Sequence, residues 1–315
     1  MMRLFRRLLL SQRLGTCIVT AVAFGIALSS QVSAQDRVAT TTLYIPHSGL
    51  EPFGVWSGNS LVAVEGHSSA APILHVYDRS GIELQHVVVQ VPESQSITIV
   101  NGGFTRSTDG YLAVAGIARA ANSLGANFLA LILPDGTRQT LVRTDSYLAR
   151  AVVFSSDGMI WTAGEKPESL DYPIIQRFDR NGNVLGAALW RTRFPRNSQL
   201  FTGLSYLVAS KDRVGWFSTG AGQYFEFSLD GKEMVNYKHT LANTVGLALC
   251  DDNSVWISAE TRDKTGNAQS TLYSLDRVHG TWLSGKAQLF SYLYGCSGTT
   301  LATSSGNDIA WIEPR

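Results

Sequence analysis

A short hairpin pattern that recurs along the chain constrains the fold more than any other feature of the sequence. In the stretch FSSDGMIWTAGE (154–165), a polar Ser-Asp-Gly turn separates two short runs rich in β-branched and aromatic residues. Near-copies of this pattern occupy residues 56–66, 106–116, 209–220, 249–260 and 304–314. Because Gly and Asn accept positive φ, while Asp and Ser bond the local backbone, the pattern predicts β-hairpins.

A second hairpin pattern alternates with the first, at residues 75–85, 131–141, 176–186, 226–236 and 273–283. Two hairpins make a unit of four strands, and such units recur about every 40 to 55 residues. This period predicts an all-β fold, a six-bladed β-propeller whose blades are four-stranded antiparallel sheets. The complete units run over 53–89, 97–142, 149–190, 203–238 and 245–284, and a partial sixth runs over 299–315.

The sixth unit supplies only an inner hairpin, so its outer edge has to come from elsewhere in the chain. RVATTTLYIP (37–46) is an isolated strand pattern before the first unit, and we expect this N-terminal strand to complete the last blade and close the ring. Four tryptophans are expected on second strands, where they fill the wedge between neighbouring sheets: Trp161, Trp216, Trp256 and Trp311. The alternative role for these rings is an aromatic platform that binds sugar.

The N-terminus has the pattern of a secretory signal peptide. Four arginines precede the apolar run 17–28, and Val32, Ser33 and Ala34 fit the small-x-small cleavage rule. We therefore expect a signal peptide at 1–34 and one propeller domain at 35–315, in a secreted or periplasmic protein without a membrane span after cleavage. An uncleaved anchor is the alternative. Loss of the four arginines lowers the formal net charge from +1 to −3, which gives no electrostatic basis for binding nucleic acid or an anionic membrane.

The blade pattern resembles the six-bladed propellers of secreted bacterial proteins, a group that includes NHL-repeat proteins and the gluconolactonase/regucalcin-like family. The resemblance covers nearly all of the chain after residue 34. The enzymatic members of this group hold a divalent metal on the ring axis through Glu, Asn and Asp at the starts of the innermost strands. Oxygen ligands of this kind suit a hard cation such as Ca²⁺.

Matched position by position, the resemblance implies only part of that metal site. Glu51 in GLEPFGVW and Asn101 in VNGGF match family ligands. Arg150 in ARAVVFSSDG and Val245 in NTVGLALCDD stand where the family has oxygen ligands. A divergent metal-dependent hydrolase or lactonase, with a divalent cation such as Ca²⁺ as its cofactor, is therefore the alternative function. Under the preferred function we expect no cofactor and no catalytic residue.

The longest loops of the predicted propeller gather on one face, between the second and third strands of the blades. They occupy 66–72, 116–127, 164–173 and 260–269, and the linker 190–203 lies beside them. Because long loops on a rigid ring commonly carry function, we expect a protein or small-molecule ligand to bind this face. Arg191, Arg193 and Arg196 of the linker lie beside two phenylalanines, a mixture that suits an acidic or planar partner.

The sequence lacks two common catalytic signatures, the Gly-x-Ser-x-Gly elbow and the His-Glu-x-x-His motif. Its repeats, its loops and its scattered charges favour binding over catalysis. The prediction is an exported β-propeller that acts as a binding or interaction module for an unknown ligand.

Cys250 and Cys296 remain after signal cleavage, and the register of the last blade decides whether they can meet. If GCSG (295–298) is the inner turn, Cys296 has the same position in the last blade that Cys250 has in the neighbouring blade. The distance between their Cα atoms then approaches the limit of about 7 Å that a disulfide requires. If SSGND (304–308) is that turn, Cys296 lies a strand length away. The second register aligns Trp311 with Trp256, so we expect no disulfide and two free thiols.

Overall fold

Six antiparallel sheets follow one another around a ring in the computed structural model of the protein. The structure describes residues 39–44, 50–121, 125–137, 139–201, 205–262, 268–288, 292–305 and 308–314. The predicted all-β, six-bladed propeller is confirmed, since each sheet has four antiparallel strands and one sheet carries a short fifth. The described residues include no helix long and apolar enough to cross a membrane.

The first two blades come from the N-terminal part of the chain. The strand that precedes them is β1 (Ala39–Tyr44). Then come β2 (Leu50–Ser57), β3 (Ser60–Glu65), β4 (Ser68–Ser69), β5 (Ile73–Tyr77) and β6 (Glu83–Val88), which form blade 1 except for β4. Blade 2 consists of β7 (Ser96–Arg106), β8 (Leu112–Arg119), β9 (Gly125–Ile132) and β10 (Gln139–Arg143). β4 pairs with β7 and adds the fifth strand to this sheet.

The next three blades each take four consecutive strands. Blade 3 consists of β11 (Leu148–Phe154), β12 (Ile160–Glu165), β13 (Pro173–Phe178) and β14 (Val184–Trp190), and a single 3₁₀ turn, η1 (Arg191–Arg193), follows it. Blade 4 consists of β15 (Ser205–Ala209), β16 (Arg213–Ser218), β17 (Gln223–Ser228) and β18 (Glu233–Lys238). Blade 5 consists of β19 (Thr244–Leu249), β20 (Val255–Arg262), β21 (Ala268–Asp276) and β22 (Thr281–Gln288).

Blade 6 joins the two ends of the chain. Three of its strands are C-terminal: β23 (Leu293–Ser297), β24 (Thr300–Ser305) and β25 (Asp308–Ile312). The fourth is β1, which pairs antiparallel with β25 from Ala39 opposite Ile312 to Tyr44 opposite Asp308. Closure of the ring by this N-terminal strand stays a prediction, and a deletion that tests it is described below.

The predicted register of blade 6 is wrong. Its innermost strand is β23, so GCSG forms the inner turn, and SSGND joins β24 to β25. The blade therefore begins at Leu293 rather than at residue 299, and Trp311 lies on a third strand rather than a second. Both stretches have turn chemistry, and the pairing of β1 with β25 leaves room for three C-terminal strands in the blade.

The predicted packing role of the tryptophans is confirmed. Trp161, Trp216 and Trp311 are fully buried, and Trp256 is 8% exposed. Trp161 and Trp216 belong to one apolar cluster that fills the space between blades 3 and 4. Aromatic rings of this size bury enough apolar surface to hold neighbouring sheets together, so the wedge between blades is the core of the ring.

Aspartate-arginine turns between the third and fourth strands tie the blades together in pairs. They occur in alternate blades, at residues 78–79, 179–180 and 276–277. In each turn the aspartate Oδ1 accepts backbone N–H bonds of 2.8 to 3.2 Å, so the turn is rigid and its arginine points away in a fixed direction. The arginine then contacts the preceding blade: Arg79 lies 4.4 Å over the Trp311 ring, Arg180 donates to Asp109 at 2.6 Å, and Arg277 donates to Glu226 at 2.5 Å. We call these three contacts the Asp-Arg latches.

Candidate functional site

The innermost strands of all six blades end around one cavity at the ring axis, with a volume of about 540 Å³. Each blade contributes the last residues of its first strand and the beginning of the turn to its second strand. The lining residues are 55–59, 106–108, 153–156, 207–211, 248–249, 251, 294–296 and 298. We call this side of the ring the tight-turn face. Because antiparallel strands return to alternate ends, the long loops between second and third strands lie on the opposite side, the long-loop face.

Hydrogen bonds between neighbouring blades hold the rim of the axial cavity. Serine hydroxyls or backbone groups of one inner turn donate to an oxygen of the next blade. The contacts are Ser57 Oγ to the Arg106 carbonyl (2.7 Å), Ser156 Oγ to the Lys211 carbonyl (2.6 Å), Ser210 Oγ to Asn253 Oδ1 (3.2 Å) and the Asp251 N–H to the Gly298 carbonyl (3.0 Å). Groups that are already held in place lose little freedom when a ligand binds, so the rim is pre-organised.

A large bulge in β7 narrows the space at the ring axis, on the side of the cavity away from the tight-turn face. The β7–β8 register shifts between Ile99 and Phe104, so four residues protrude where the partner strand has one. A Cβ on Gly102 would lie 3.6 Å from the Arg150 carbonyl oxygen and 3.7 Å from the Ser205 carbonyl oxygen. The bulge of blade 2 thus reaches the inner strands of blades 3 and 4.

The bulge depends on its two glycines. Gly102 has φ of +78°, a conformation that L side chains rarely adopt. A Cβ on Gly103 would come within 2.3 Å of the Val100 side chain and 2.9 Å of the Ala115 carbonyl oxygen. Neither position accepts a larger residue without a backbone shift, so the VNGGF motif is explained by this close approach.

The cavity combines hydrogen-bonding groups with a few charges. Lys211 and Asp251 are exposed and place an ammonium group and a carboxylate at the rim. Arg106 is half-buried, donates to Ser60 Oγ at 3.1 Å, and has its pKa lowered by burial. About half of the lining is apolar, and it includes Trp56 and the aliphatic residues at the ends of the innermost strands. This arrangement suits a small polar ligand that offers both hydrogen-bonding groups and an apolar part.

A disulfide joins Cys250 to Cys296 beside the cavity, so the prediction of two free thiols is wrong. Their Cα atoms are 5.3 Å apart, which is within disulfide range. The cause is the register of blade 6. Because GCSG is the inner turn, Cys296 of blade 6 lies opposite Cys250 of blade 5. The bond therefore links blades 5 and 6 at the cavity wall.

The candidate ligands of the family-like metal site lie toward the long-loop face. Asn101 is exposed on the β7 bulge, beside Gly102, whose Cβ position contacts the backbone of Arg150. Arg150 forms an ion pair with Glu165, with Nε donating to Oε1 at 2.7 Å. Glu51 lies at the beginning of β2, and its side chain is outside the part of the structure that is described. The structure thus brings Asn101 and Arg150 near each other, and the role of Glu51 stays a prediction.

No group of three or more His, Cys, Asp and Glu side chains in the described part of the chain is arranged to hold a metal ion.

The three linker arginines have different surroundings. Arg191 is buried, and its guanidinium donates to four backbone carbonyls, those of Phe194, Pro195, Arg196 and Ser198. Arg193 pairs with Glu233 and lies 5.2 Å over the Phe225 ring. Arg196 is exposed. The linker therefore uses Arg191 to fix its own fold and Arg193 to attach to blade 4, while Arg196 faces solvent.

The sequence predictions did not include the residues of the axial cavity. A signal for them was present, because a serine opens three inner turns at the same position: Ser107, Ser155 and Ser210. Cys250 takes that position in blade 5. Small residues that recur at the ends of innermost strands mark the positions that surround a propeller axis, and they could have indicated the rim.

Several solved structures are similar to this chain at low sequence identity. The protein is similar to a structural genomics protein of unknown function from Bacteroides thetaiotaomicron VPI-5482, with 12% identity, a TM-score of 0.50, and coverage of 89% of this chain and 74% of that one. It is similar to a streptogramin B lyase, with 11% identity, a TM-score of 0.46, and coverage of 87% and 98%. It is also similar to the Dos1 propeller, with 12% identity, a TM-score of 0.43, and coverage of 81% and 76%.

Likeness at these identities concerns the fold alone. The six-bladed propeller fold of the chain rests on its own sheet topology. No protein-family model matches the sequence, and no curated protein matches it.

Proposed function

We propose that this protein is an exported binding module that holds a small polar ligand in the axial cavity on the tight-turn face. One observation carries the proposal: all six blades line a single cavity of about 540 Å³ whose rim is held by bonds between blades. Ligand sites in proteins commonly have volumes of about 300–1,000 Å³ and are largely formed before binding.

Export is part of the same proposal. The basic start, apolar run and small-residue cleavage pattern of residues 1–34 support a signal peptide, and these residues lie outside the described part of the structure. The Cys250–Cys296 disulfide adds support, because such bonds persist in oxidising compartments such as the periplasm or the extracellular space. The proposed location is therefore secreted or periplasmic.

The long-loop face belongs to the proposal as a place for a protein partner. Exposed Arg196 on the linker and exposed Asn101 on the β7 bulge support it, because both offer polar contacts on that side of the ring.

A substitution that fills the cavity tests the main proposal. Thr108 is exposed and lines the cavity, so Thr108→Trp should occupy its entrance without disturbing the core. Thr192→Trp, at an exposed position of η1, is the matched control. A library of sugars, amino acids and small carboxylates would be screened by thermal shift. A compound at about 100 times its Kd should stabilise the wild type and Thr192→Trp by about 2.7 kcal/mol and fail on Thr108→Trp. A stabilising compound that acts equally on Thr108→Trp would contradict the cavity as the site.

The same protein preparation tests the alternative function. A metal-dependent hydrolase of the gluconolactonase-like class would retain about one divalent cation per chain on the axis. Elemental analysis of the purified protein, together with Ca²⁺ titration of wild type and Asn101→Ala, measures this directly. Stoichiometric Ca²⁺ lost in Asn101→Ala would favour the hydrolase over the binding module.

A further inference from the structure

The charges of the axial cavity are unevenly placed around the ring. Among the described lining residues the charged ones are Arg106 in blade 2, Lys211 in blade 4 and Asp251 in blade 5. Lys211 and Asp251 each follow the residue that opens the inner turn, and their blades are neighbours. Blade 2 lies opposite blade 5 in the ring of six. The cavity thus has an ammonium group beside a carboxylate on one side and a guanidinium on the opposite side.

Lys211 and Asp251 have opposite charges but do not pair with each other. In the described part of the chain neither side chain has an ion-pair partner within 4.0 Å. Their backbones are held, because the Lys211 carbonyl accepts from Ser156 Oγ and the Asp251 N–H donates to the Gly298 carbonyl. Two charges that are fixed near each other and unpaired can receive an ammonium and a carboxylate that share one carbon atom, as in an α-amino acid.

Arg106 is a half-buried cation whose donors are only partly satisfied. Its Nη1 donates to Ser60 Oγ at 3.1 Å and to the Gly58 carbonyl at 3.4 Å. Its Nε is buried and has no acceptor in the described part of the chain. The carboxylate that acts on it electrostatically, Asp109, accepts two hydrogen bonds from Arg180 instead. Because a buried charged donor without an acceptor is unfavourable, the guanidinium suits an anionic group of a ligand.

We propose that the axial cavity binds an acidic amino acid of the length of glutamate, an inference that rests on the ligand site proposed above. Asp251 accepts from the α-ammonium group, Lys211 contacts the α-carboxylate, and Arg106 contacts the side-chain carboxylate across the cavity. The methylene groups of the ligand lie against the aliphatic ends of the innermost strands. The ligand's net charge of −1 complements the charge of +1 that these three side chains give the lining, whereas a neutral ligand leaves all three unpaired.

Three analogues of L-glutamate, each without one of its charged groups, provide the test by calorimetric titration. Glutarate has no ammonium group, 4-aminobutyrate has no α-carboxylate, and L-glutamine has no side-chain carboxylate. Wild-type protein should bind L-glutamate about tenfold or more tightly than each analogue, because each analogue leaves one charged side chain without its partner.

Variants assign each preference to one side chain. Asp251→Asn should lose the preference for L-glutamate over glutarate, Lys211→Gln the preference over 4-aminobutyrate, and Arg106→Gln the preference over L-glutamine. Each variant should keep the other two preferences. Asp251 and Lys211 are exposed, so their variants report even where Arg106→Gln disturbs the turn. Asp171→Asn and Lys232→Gln remove exposed charges outside the cavity and should keep all three preferences.

Failure of this proposal can be told apart from failure of the ligand site itself. Absence of L-glutamate binding at up to about 10 mM, equal affinities for L-glutamate and its analogues, or variants that keep every preference would each overturn the acidic amino acid. A neutral compound that stabilises the wild type but not Thr108→Trp would also overturn it, and would leave the cavity as the ligand site. A stabilising compound that acts equally on Thr108→Trp would overturn both.

Discussion

Reduction of the Cys250–Cys296 disulfide is expected to destabilise the ring at the wall of the axial cavity. The bond joins the inner turns of blades 5 and 6, and it closes a loop with a sequence separation of 46 residues. Removing a cross-link of this loop length increases the conformational entropy of the unfolded chain. The free energy of unfolding should therefore fall by about 4 kcal/mol at 25 °C. The folded state loses little, because the Asp251 N–H still donates to the Gly298 carbonyl at 3.0 Å across the same interface.

Urea unfolding measures this loss. The tryptophans are buried, so their fluorescence reports unfolding, and the chain without residues 1–34 contains no cysteine besides these two. Unfolding free energies are compared with and without a phosphine reductant. Cys250→Ala combined with Cys296→Ala is the control, since the reductant should not change its unfolding curve.

Two results would refute the reasoning about the disulfide. One is an unfolding free energy that changes by less than about 0.5 kcal/mol on reduction, well below the value that loop closure gives. The other is labelling of both thiols in urea without reductant, which would show that the cysteines are not bridged.

Four further perturbations follow from the same structure. Trp161→Ala should lower the free energy of unfolding by about 3–5 kcal/mol because its ring is fully buried between blades, and a loss under about 1 kcal/mol in urea would contradict that packing. Deleting residues 37–46 should expose the edge of β25 and cost several kcal/mol, so an unchanged melting midpoint would count against ring closure. Glu226→Gln removes a fully buried carboxylate from two arginines and should lower the free energy of unfolding by about 3–5 kcal/mol. Glu233→Gln changes a partly exposed ion pair and should lower it by under about 1 kcal/mol. Similar losses for the two variants would show that burial is not the cause. Burial lowers the pKa of His239 from 6.5 to about 4, so the unfolded chain binds the proton more tightly than the folded chain does. The free energy of unfolding should therefore be highest above pH 6.5 and should decline as the pH falls from 6.5 to about 4. The decline should be about 2 kcal/mol after allowance for partial exposure, and a His239→Gln variant with the same pH slope would disprove the assignment.

The hairpin repeat predicted the fold because its information is local. Turn residues such as those of FSSDGMIWTAGE specify where strands end, and alternating turns specify four strands per blade. The last blade shows the limit of this reasoning. GCSG and SSGND both have the composition of turns, and neither sequence indicates which of them is innermost, because that depends on the pairing of β1 with β25. The disulfide was mispredicted for the same reason.

Six segments that lie far apart in the sequence form the axial cavity, so recurring serines could indicate its rim but not which residues meet across it. Ser57 and Arg106 meet across 49 positions of sequence, and Ser210 and Asn253 across 43. The VNGGF motif contains Asn101, which matches a family ligand and stays a prediction, and the structure adds that its two glycines allow the β7 bulge. The linker arginines were predicted as a set, yet burial gives Arg191 a role in the fold of the linker and leaves Arg196 to solvent.

The Asp-Arg latches have a consequence for where the ring opens by local fluctuation. Latches hold the interfaces 6–1, 2–3 and 4–5, the disulfide holds 5–6, and aromatic residues of the linker pack against Trp216 at 3–4. Among the described residues, the interface between blades 1 and 2 has no latch and no disulfide. Apolar contacts, hydrogen bonds and the short β4–β7 pairing hold it on its inner side, and a groove of about 930 Å³ runs along its outer side. Hydrogen exchange of the native protein should therefore show the amides of β6 and β10 exchanging before those of the latched interfaces.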